Sequence, residues 1–261
     1  NDLAIQEFMV MPGGKSFSEN LQRASEIYHN LKEILISSFN KQAINIGDEG
    51  GFAPPISKTC EALDLIIKAI ADFPETKIGI DCAASQFFQN KKYHLDGIQF
   101  SKEEILKFYK SLVKRYPIIF FEDPFAEEDW EGWGKISNLK PQMPALHHPS
   151  GARIGAGSNV LIFGDDLTAT NPERIKLAYN KKACNGVIVK PNQIGTVSET
   201  LKAAKLAKSY NWKIMVAHRS GETCDDFIAD LAVAVGADFI KAGSLSRGER
   251  VAKYNRLMEI E

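Results

Sequence analysis

Six apolar runs along this chain each stop on a polar or charged residue. Lys77–Ile80 runs into Asp81, Pro117–Phe121 into Glu122, Val160–Gly164 into Asp165, Gly186–Val189 into Lys190, Lys213–Ala217 into His218, and Asp238–Ile240 into Lys241. Short runs rich in Ile, Val and Phe, with no polar alternation, are the pattern of strands buried on both faces, as in a parallel sheet. Six such ends imply one shared rim carrying three carboxylates, two lysines and a histidine. That combination suits a divalent cation, an acidic substrate and proton transfer.

Between the runs lie segments of helical period. Ser57 precedes the stretch Glu61–Phe73, Ser101 precedes Ile105, Leu106, Tyr109, Leu112 and Val113, and Asn171-Pro172-Glu173 reads as an N-cap followed by Pro at the first helical position. Thr196–Tyr210, Glu222–Val235 and Ser246–Glu261 are further predicted helices. Strand and helix in alternation mean parallel strands joined by helical crossovers, an α/β fold. At 261 residues, a TIM-type (β/α)8 barrel fits in one domain, residues 1–261. The start is irregular: a predicted strand Ala4–Val10 is followed by helical stretches over Phe17–Leu31 and on to Phe39, then by the glycine-rich loop Gly47–Phe52. The connection Lys140–Ser158 is long, rich in Pro and Gly, and without period; loops of that length are functional or disordered. Its pair His147-His148 has no neighbouring carboxylate or Cys, so a solvated loop is the expectation there.

A net charge of −1, with the basic residues dispersed, excludes a strong nucleic-acid or membrane field. Cys60, Cys82, Cys184 and Cys224 form no CxxC pair and read as reduced thiols of a cytoplasmic protein. No apolar stretch reaches the length of a membrane span. The chain starts Asn1-Asp2-Leu3, without Met, and reads as cut from a longer one.

The chemistry of the rim admits defined alternatives. Asp81, Glu122 and Asp165 could converge on Mg²⁺, which favours a few carboxylates; each could instead cap a helix or pair with a lysine. Lys190 and Lys241 are either bases, if neighbouring cations and burial lower their pKa, or salt-bridge partners of the acids opposite. His218-Arg219-Ser220-Gly221-Glu222-Thr223 opens a helix, where backbone N–H groups, Arg and Ser make a phosphate seat or only a cap. Glu7 and Glu49 are candidate acids, Glu49 on a loop able to close over a ligand.

Longer strings then carry a resemblance. Gln6-Glu7-Phe8-Met9, Gly47-Asp48-Glu49-Gly50-Gly51-Phe52-Ala53-Pro54, Asp81-Cys82-Ala83-Ala84-Ser85, Glu122-Asp123-Pro124-Phe125, Gly164-Asp165-Asp166-Leu167-Thr168, Lys190-Pro191-Asn192-Gln193-Ile194-Gly195, His218-Arg219-Ser220-Gly221-Glu222-Thr223 and Ala252-Lys253-Tyr254-Asn255 resemble the enolases (phosphopyruvate hydratases), in that family's order. The resemblance implies the barrel variant ββαα(βα)6. It implies a cytoplasmic lyase of glycolysis and gluconeogenesis that interconverts 2-phospho-D-glycerate and phosphoenolpyruvate with Mg²⁺. By position, Asp81, Glu122 and Asp165 match the metal ligands, Lys190 the base at C2, and Glu49, with Glu7 beside it, the acid at the C3 hydroxyl. Lys241, Arg219, Ser220, His218 and Glu7 match substrate contacts. The family's amino-terminal domain is absent from this chain, so weak Mg²⁺ binding and poor turnover by the chain alone are expected, and a homo-oligomer only for the full-length protein. The Lys140–Ser158 loop also looks longer than the family's connection. The alternative is a catalytically inert enolase-like domain with a binding or structural role. An acid-sugar dehydratase on the same scaffold is disfavoured by Arg219-Ser220.

Overall fold

The computed structural model describes residues 2–137, 139 and 160–261. The Lys140–Ser158 connection and its His147-His148 pair lie outside the described residues. In chain order come β1 (Glu7–Met11), α1 (Phe17–Ser38), α2 (Thr59–Ala69) and β2 (Lys77–Asp81); then β3 (Phe88–Gln89), β4 (Lys92–Leu95), β5 (Ile98–Phe100), α3 (Lys102–Arg115) and β6 (Ile118–Glu122). There follow α4 (Trp130–Ile136), β7 (Leu161–Gly164), α5 (Pro172–Asn180), β8 (Gly186–Val189), α6 (Pro191–Ile194) and α7 (Val197–Ser209). The described chain closes with β9 (Lys213–Ala217), α8 (Phe227–Ala234), β10 (Phe239–Lys241) and α9 (Gly248–Ile260).

All six apolar runs are strands of one seven-stranded sheet, ordered β1-β2-β6-β7-β8-β9-β10. Every pair from β2 to β10 is parallel, and β1 runs antiparallel to β2. The register explains the shared rim. Asp81 is level with Glu122, Glu122 with Phe163, Val189 with Val216 and Ala217 with Lys241. Because β1 is reversed, its first residue, Glu7, pairs with the last residue of β2, Asp81, and joins the same rim.

Side chains alternate between two buried faces. Val187, Val189, Ile214 and Val216 pack in the layer under the helices, whereas Ile188, Met215 and Ala217 point to the inside of the curled sheet with Phe120 and Phe163. Phe120, Phe163 and Phe239 meet there edge-on or tilted, with ring centroids 5.4, 6.0 and 5.9 Å apart. This brings β10 across to β6. Gly79 makes the room: a Cβ there would stand 2.0 Å from Phe120 Cζ. Although β1 and β10 are the edges of the hydrogen-bonded order, Lys241 on β10 lies 3.1 Å from Glu7 on β1.

The helix starts follow local chemistry. Ser101 accepts from Glu104 N–H while Glu104 accepts from Ser101 N–H, a capping box; Asn171 and Thr196 cap α5 and α7. Three expectations are corrected. The two helical stretches after β1 are one 22-residue helix. The helix expected after Ser57 begins at Thr59, whose N–H is capped by Asp96 from the turn between β4 and β5. Finally, α8 begins at Phe227 rather than Glu222. Glu222, Thr223 and Asp225 bind nearby backbone N–H groups at Arg219, Asp225 and Phe227, and so compete with the helix ladder.

Candidate active site

The strand ends surround a cleft of about 160 Å³, lined by Glu7, Glu49, Asp81, Asp165, Lys190, His218, Arg219, Ser220 and Lys241 together with Gln6, Ala83, Gln86, Asp123 and Asp166. Of the residues the sequence nominates, Glu122 alone lies beneath the lining rather than in it. It is fully buried and bonds to Lys241.

Two lysines organise the acids. Lys241 Nζ lies 2.8 Å from Asp81, 2.9 Å from Glu122 and 3.1 Å from Glu7. Lys190 Nζ is ion-paired to Asp165 Oδ2, and Gln193 Nε2 donates to Asp165 Oδ1 at 2.8 Å. Thr170 joins this group, donating to Gln193 Oε1 at 2.6 Å and accepting from Lys190 N–H at 2.9 Å. Both lysines are thus ion-paired with the acids opposite.

Burial alone pulls Lys190 down, but the charges of Asp165 and Glu122 reverse this and hold it above its usual value. Lys241 behaves likewise under Glu122, Asp81 and Glu7. The acids are in excess. Burial pushes Glu7 up to about 8, with Lys241 opposing and Asp81 and Glu49 adding to the rise. Burial, then Asp81, raises Glu122 well above the carboxylate range.

Glu49 differs. Its burial is outweighed by hydrogen bonds from His218 Nε2 (3.1 Å) and Ser220 Oγ (2.9 Å), which hold it well below the usual range. Glu7 thus keeps a proton at neutral pH while Glu49 is ionised.

The donor set fits a hard divalent cation. Glu122 Oε1 is buried with no hydrogen-bond partner among the described residues, and the clustered acids carry more negative charge than the two lysines neutralise. Asp81, Glu122 and Asp165 all face this region from adjacent strands. Among the described residues, the three carboxylates that close to within 4.8 Å of one another are those of Asp123, Asp165 and Asp166, so of the nominated ligands Asp165 alone belongs to that group, and Asp81 and Glu122 do not. Asp123 already accepts from the backbone N–H of Asp165 (3.0 Å) and Asp166 (2.7 Å), so it braces the loop that presents Asp165. Sequence reasoning passed over Asp123, although it stands next to Glu122 and follows the same apolar run.

Across residues 1–261 the chain matches the family described as "Enolase, C-terminal TIM barrel domain". The chain belongs to the enolase family. It is 47% identical over 277 aligned residues to "Enolase B" of Dictyostelium discoideum, an alignment that covers 100% of this chain and 59% of that protein. The enolase chain described here thus spans about three-fifths of the length of that relative. Among the described residues no helix is long and apolar enough to cross a membrane.

Proposed function

We propose that this chain carries the active-site barrel of a lyase that reversibly dehydrates 2-phospho-D-glycerate to phosphoenolpyruvate. The observation that carries this reading is the gathering of Lys190, Lys241, Glu49, Asp165 and the Arg219-Ser220 turn around one cleft. Family membership supports it, as does the name of the Dictyostelium relative.

A proton α to a carboxylate is very weakly acidic, because its removal puts a second charge on the carboxylate oxygens. Asp81, Glu122 and Asp165 would hold Mg²⁺, which when bound would supply Lewis-acid stabilisation of that charge. Lys190 takes the C2 proton. Its bond to Asp165 keeps it protonated in the free protein, so it becomes a base only when Asp165 turns to another partner. Lys241 adds fixed positive charge beside the same acids. Glu49 assists departure of the C3 hydroxyl, with Glu7 beside it on the cleft wall. Arg219 and Ser220 bind the phosphate, with His218 behind them.

The described order, βαα(βα)6, agrees with the family's ββαα(βα)6 barrel in all but one strand before the first helix. With it go Mg²⁺ as cofactor, a place in glycolysis and gluconeogenesis, a cytoplasmic setting and a homo-oligomeric full-length protein.

The test is formation of phosphoenolpyruvate, followed by ultraviolet absorbance, by the full-length protein in saturating Mg²⁺. Lys190→Ala lowers the rate by about 10²–10⁴-fold with the fold intact. A folded full-length protein without turnover would instead establish the inert, binding-domain alternative.

A further inference from the structure

The mechanism leaves one buried cation next to the site unused. Arg250, on α9, is 1% exposed, and all four of its terminal N–H groups are occupied. Nη1 contacts His218 Nδ1 at 2.8 Å and donates to Arg219 O at 2.7 Å. Nη2 donates to Asp48 O at 2.9 Å and to Ser220 O at 2.6 Å. One planar fork thus ties the residue before Glu49 to the two residues after His218.

Two consequences follow from the chemistry of the groups. Arginine has donors only, so His218 Nδ1 must accept; the ring's single proton then sits on Nε2, facing Glu49 Oε2 at 3.1 Å. An imidazolium would turn an N–H toward the guanidinium N–H. The second consequence is positional. Both donors to Glu49, His218 Nε2 and Ser220 Oγ, belong to the turn whose carbonyls Arg250 holds, and the same guanidinium fixes the Asp48 carbonyl on the acid's own loop.

The neighbouring backbone is shaped to admit this side chain. Gly243 has φ +87, and a Cβ there would stand 2.8 Å from Arg250 Cδ and 2.8 Å from Glu49 O. Ser244 N–H donates to that same Glu49 carbonyl at 2.8 Å.

We infer that Arg250 is a positioning residue: it holds His218 in the neutral Nε2–H tautomer and locks the Glu49 loop against the His218–Ser220 turn. Its kinetic consequence rests on the lyase reading above; its effect on the histidine ring does not.

The experiment is ¹⁵N NMR of the histidine-labelled full-length protein at pH 6, with the His218 signal assigned by its loss in His218→Asn. Charged groups facing the ring are Glu49, Arg250 and Lys241. In the native protein the ring is neutral with its proton on Nε2. In Arg250→Met, Nδ1 gains a proton and the ring becomes imidazolium. Lys253→Met is the control. Lys253 is a buried cation one turn further along α9, bonded to Glu222, Thr223 O and Glu249 O but not to the ring. Its removal lowers the melting temperature and leaves the ring neutral.

Arg250→Lys keeps a cation beside the ring but cannot span four acceptors, so the ring stays neutral while kcat/KM falls on the order of 100-fold. A ring still neutral in Arg250→Met, the same ring change in Lys253→Met, or native kcat/KM in Arg250→Lys overturns the inference. If Arg250→Met does not fold, Arg250→Lys decides it. If the native protein has no turnover, the lyase reading fails and the ring signals alone decide the role of Arg250.

Discussion

Lys241 Nζ and Asp81 Oδ2 meet at 2.8 Å across 160 residues of sequence. The contact joins the last strand of the sheet to its second, and it sits where Glu122 and Glu7 also converge on the same ammonium. One buried cation thus gathers three carboxyl groups, from β1, β2 and β6, at a single point.

Removing that cation leaves buried charge without a partner. Lys241→Met is expected to destabilise the fold by about 3–5 kcal/mol, the range for breaking a buried ion pair from one side. Denaturant unfolding measures it, and a loss within about 0.5 kcal/mol of zero, typical of a surface change, would show that the acids had simply neutralised.

The interior of the curled sheet rests on Phe120, Phe163 and Phe239. Phe120→Ala should cost about 3–5 kcal/mol, since Gly79 opposite has no side chain to fill the space. The midpoint of urea unfolding falls while the slope stays constant.

What could be read from the sequence, and what could not, divides along physical lines. The strands β2 and β6 to β9 are buried on both faces and β10 is half-buried, so each apolar run marks its strand and each terminal acid, lysine or histidine marks the rim. The small antiparallel sheet of β3, β4 and β5 was not foreseen: its residues mix polar and apolar, and its strands are two to four residues long. A signal was present in Asp96-Gly97, both at positive φ in the two-residue turn between Leu95 and Ile98. The helix α4 holds two glycines within seven residues, which hides its period. Glu7 reached the rim for a reason no local pattern shows, the reversal of β1. Arg250 was illegible because its partners lie 30 to 202 residues away, in loops that only the curled sheet brings together.

Acid should weaken one brace of the site in a defined direction. Glu222 is held below its usual pKa: burial raises it, and the hydrogen bonds from Lys253 and from Arg219 N–H outweigh that. A depressed carboxylate contributes stability above the unfolded value of about 4.3 and loses it as pH falls through the folded value. The stability gap between the native protein and Glu222→Gln is therefore constant from pH 7 to about 5 and closes below about 4. A gap that is unchanged at pH 3 would remove Glu222 from this role.

The metal assignment can be tested without turnover. Asp165→Asn should weaken Mg²⁺ binding in calorimetry, whereas Glu222→Gln, whose carboxylate bonds to Lys253 and Arg219 N–H and to neither cleft lysine, should not. Unchanged affinity in Asp165→Asn would take Asp165 out of the ligand set and leave it as the partner of Lys190 alone.

Assigning the base and the acid to different residues makes the two half-reactions separable, and exchange of the C2 proton of 2-phosphoglycerate with deuterated water separates them. In the full-length protein with Mg²⁺, Lys190→Ala should lose both C2 exchange and phosphoenolpyruvate formation. Glu49→Gln should keep exchanging the C2 proton while losing phosphoenolpyruvate. Exchange at the native rate in folded Lys190→Ala would contradict the account.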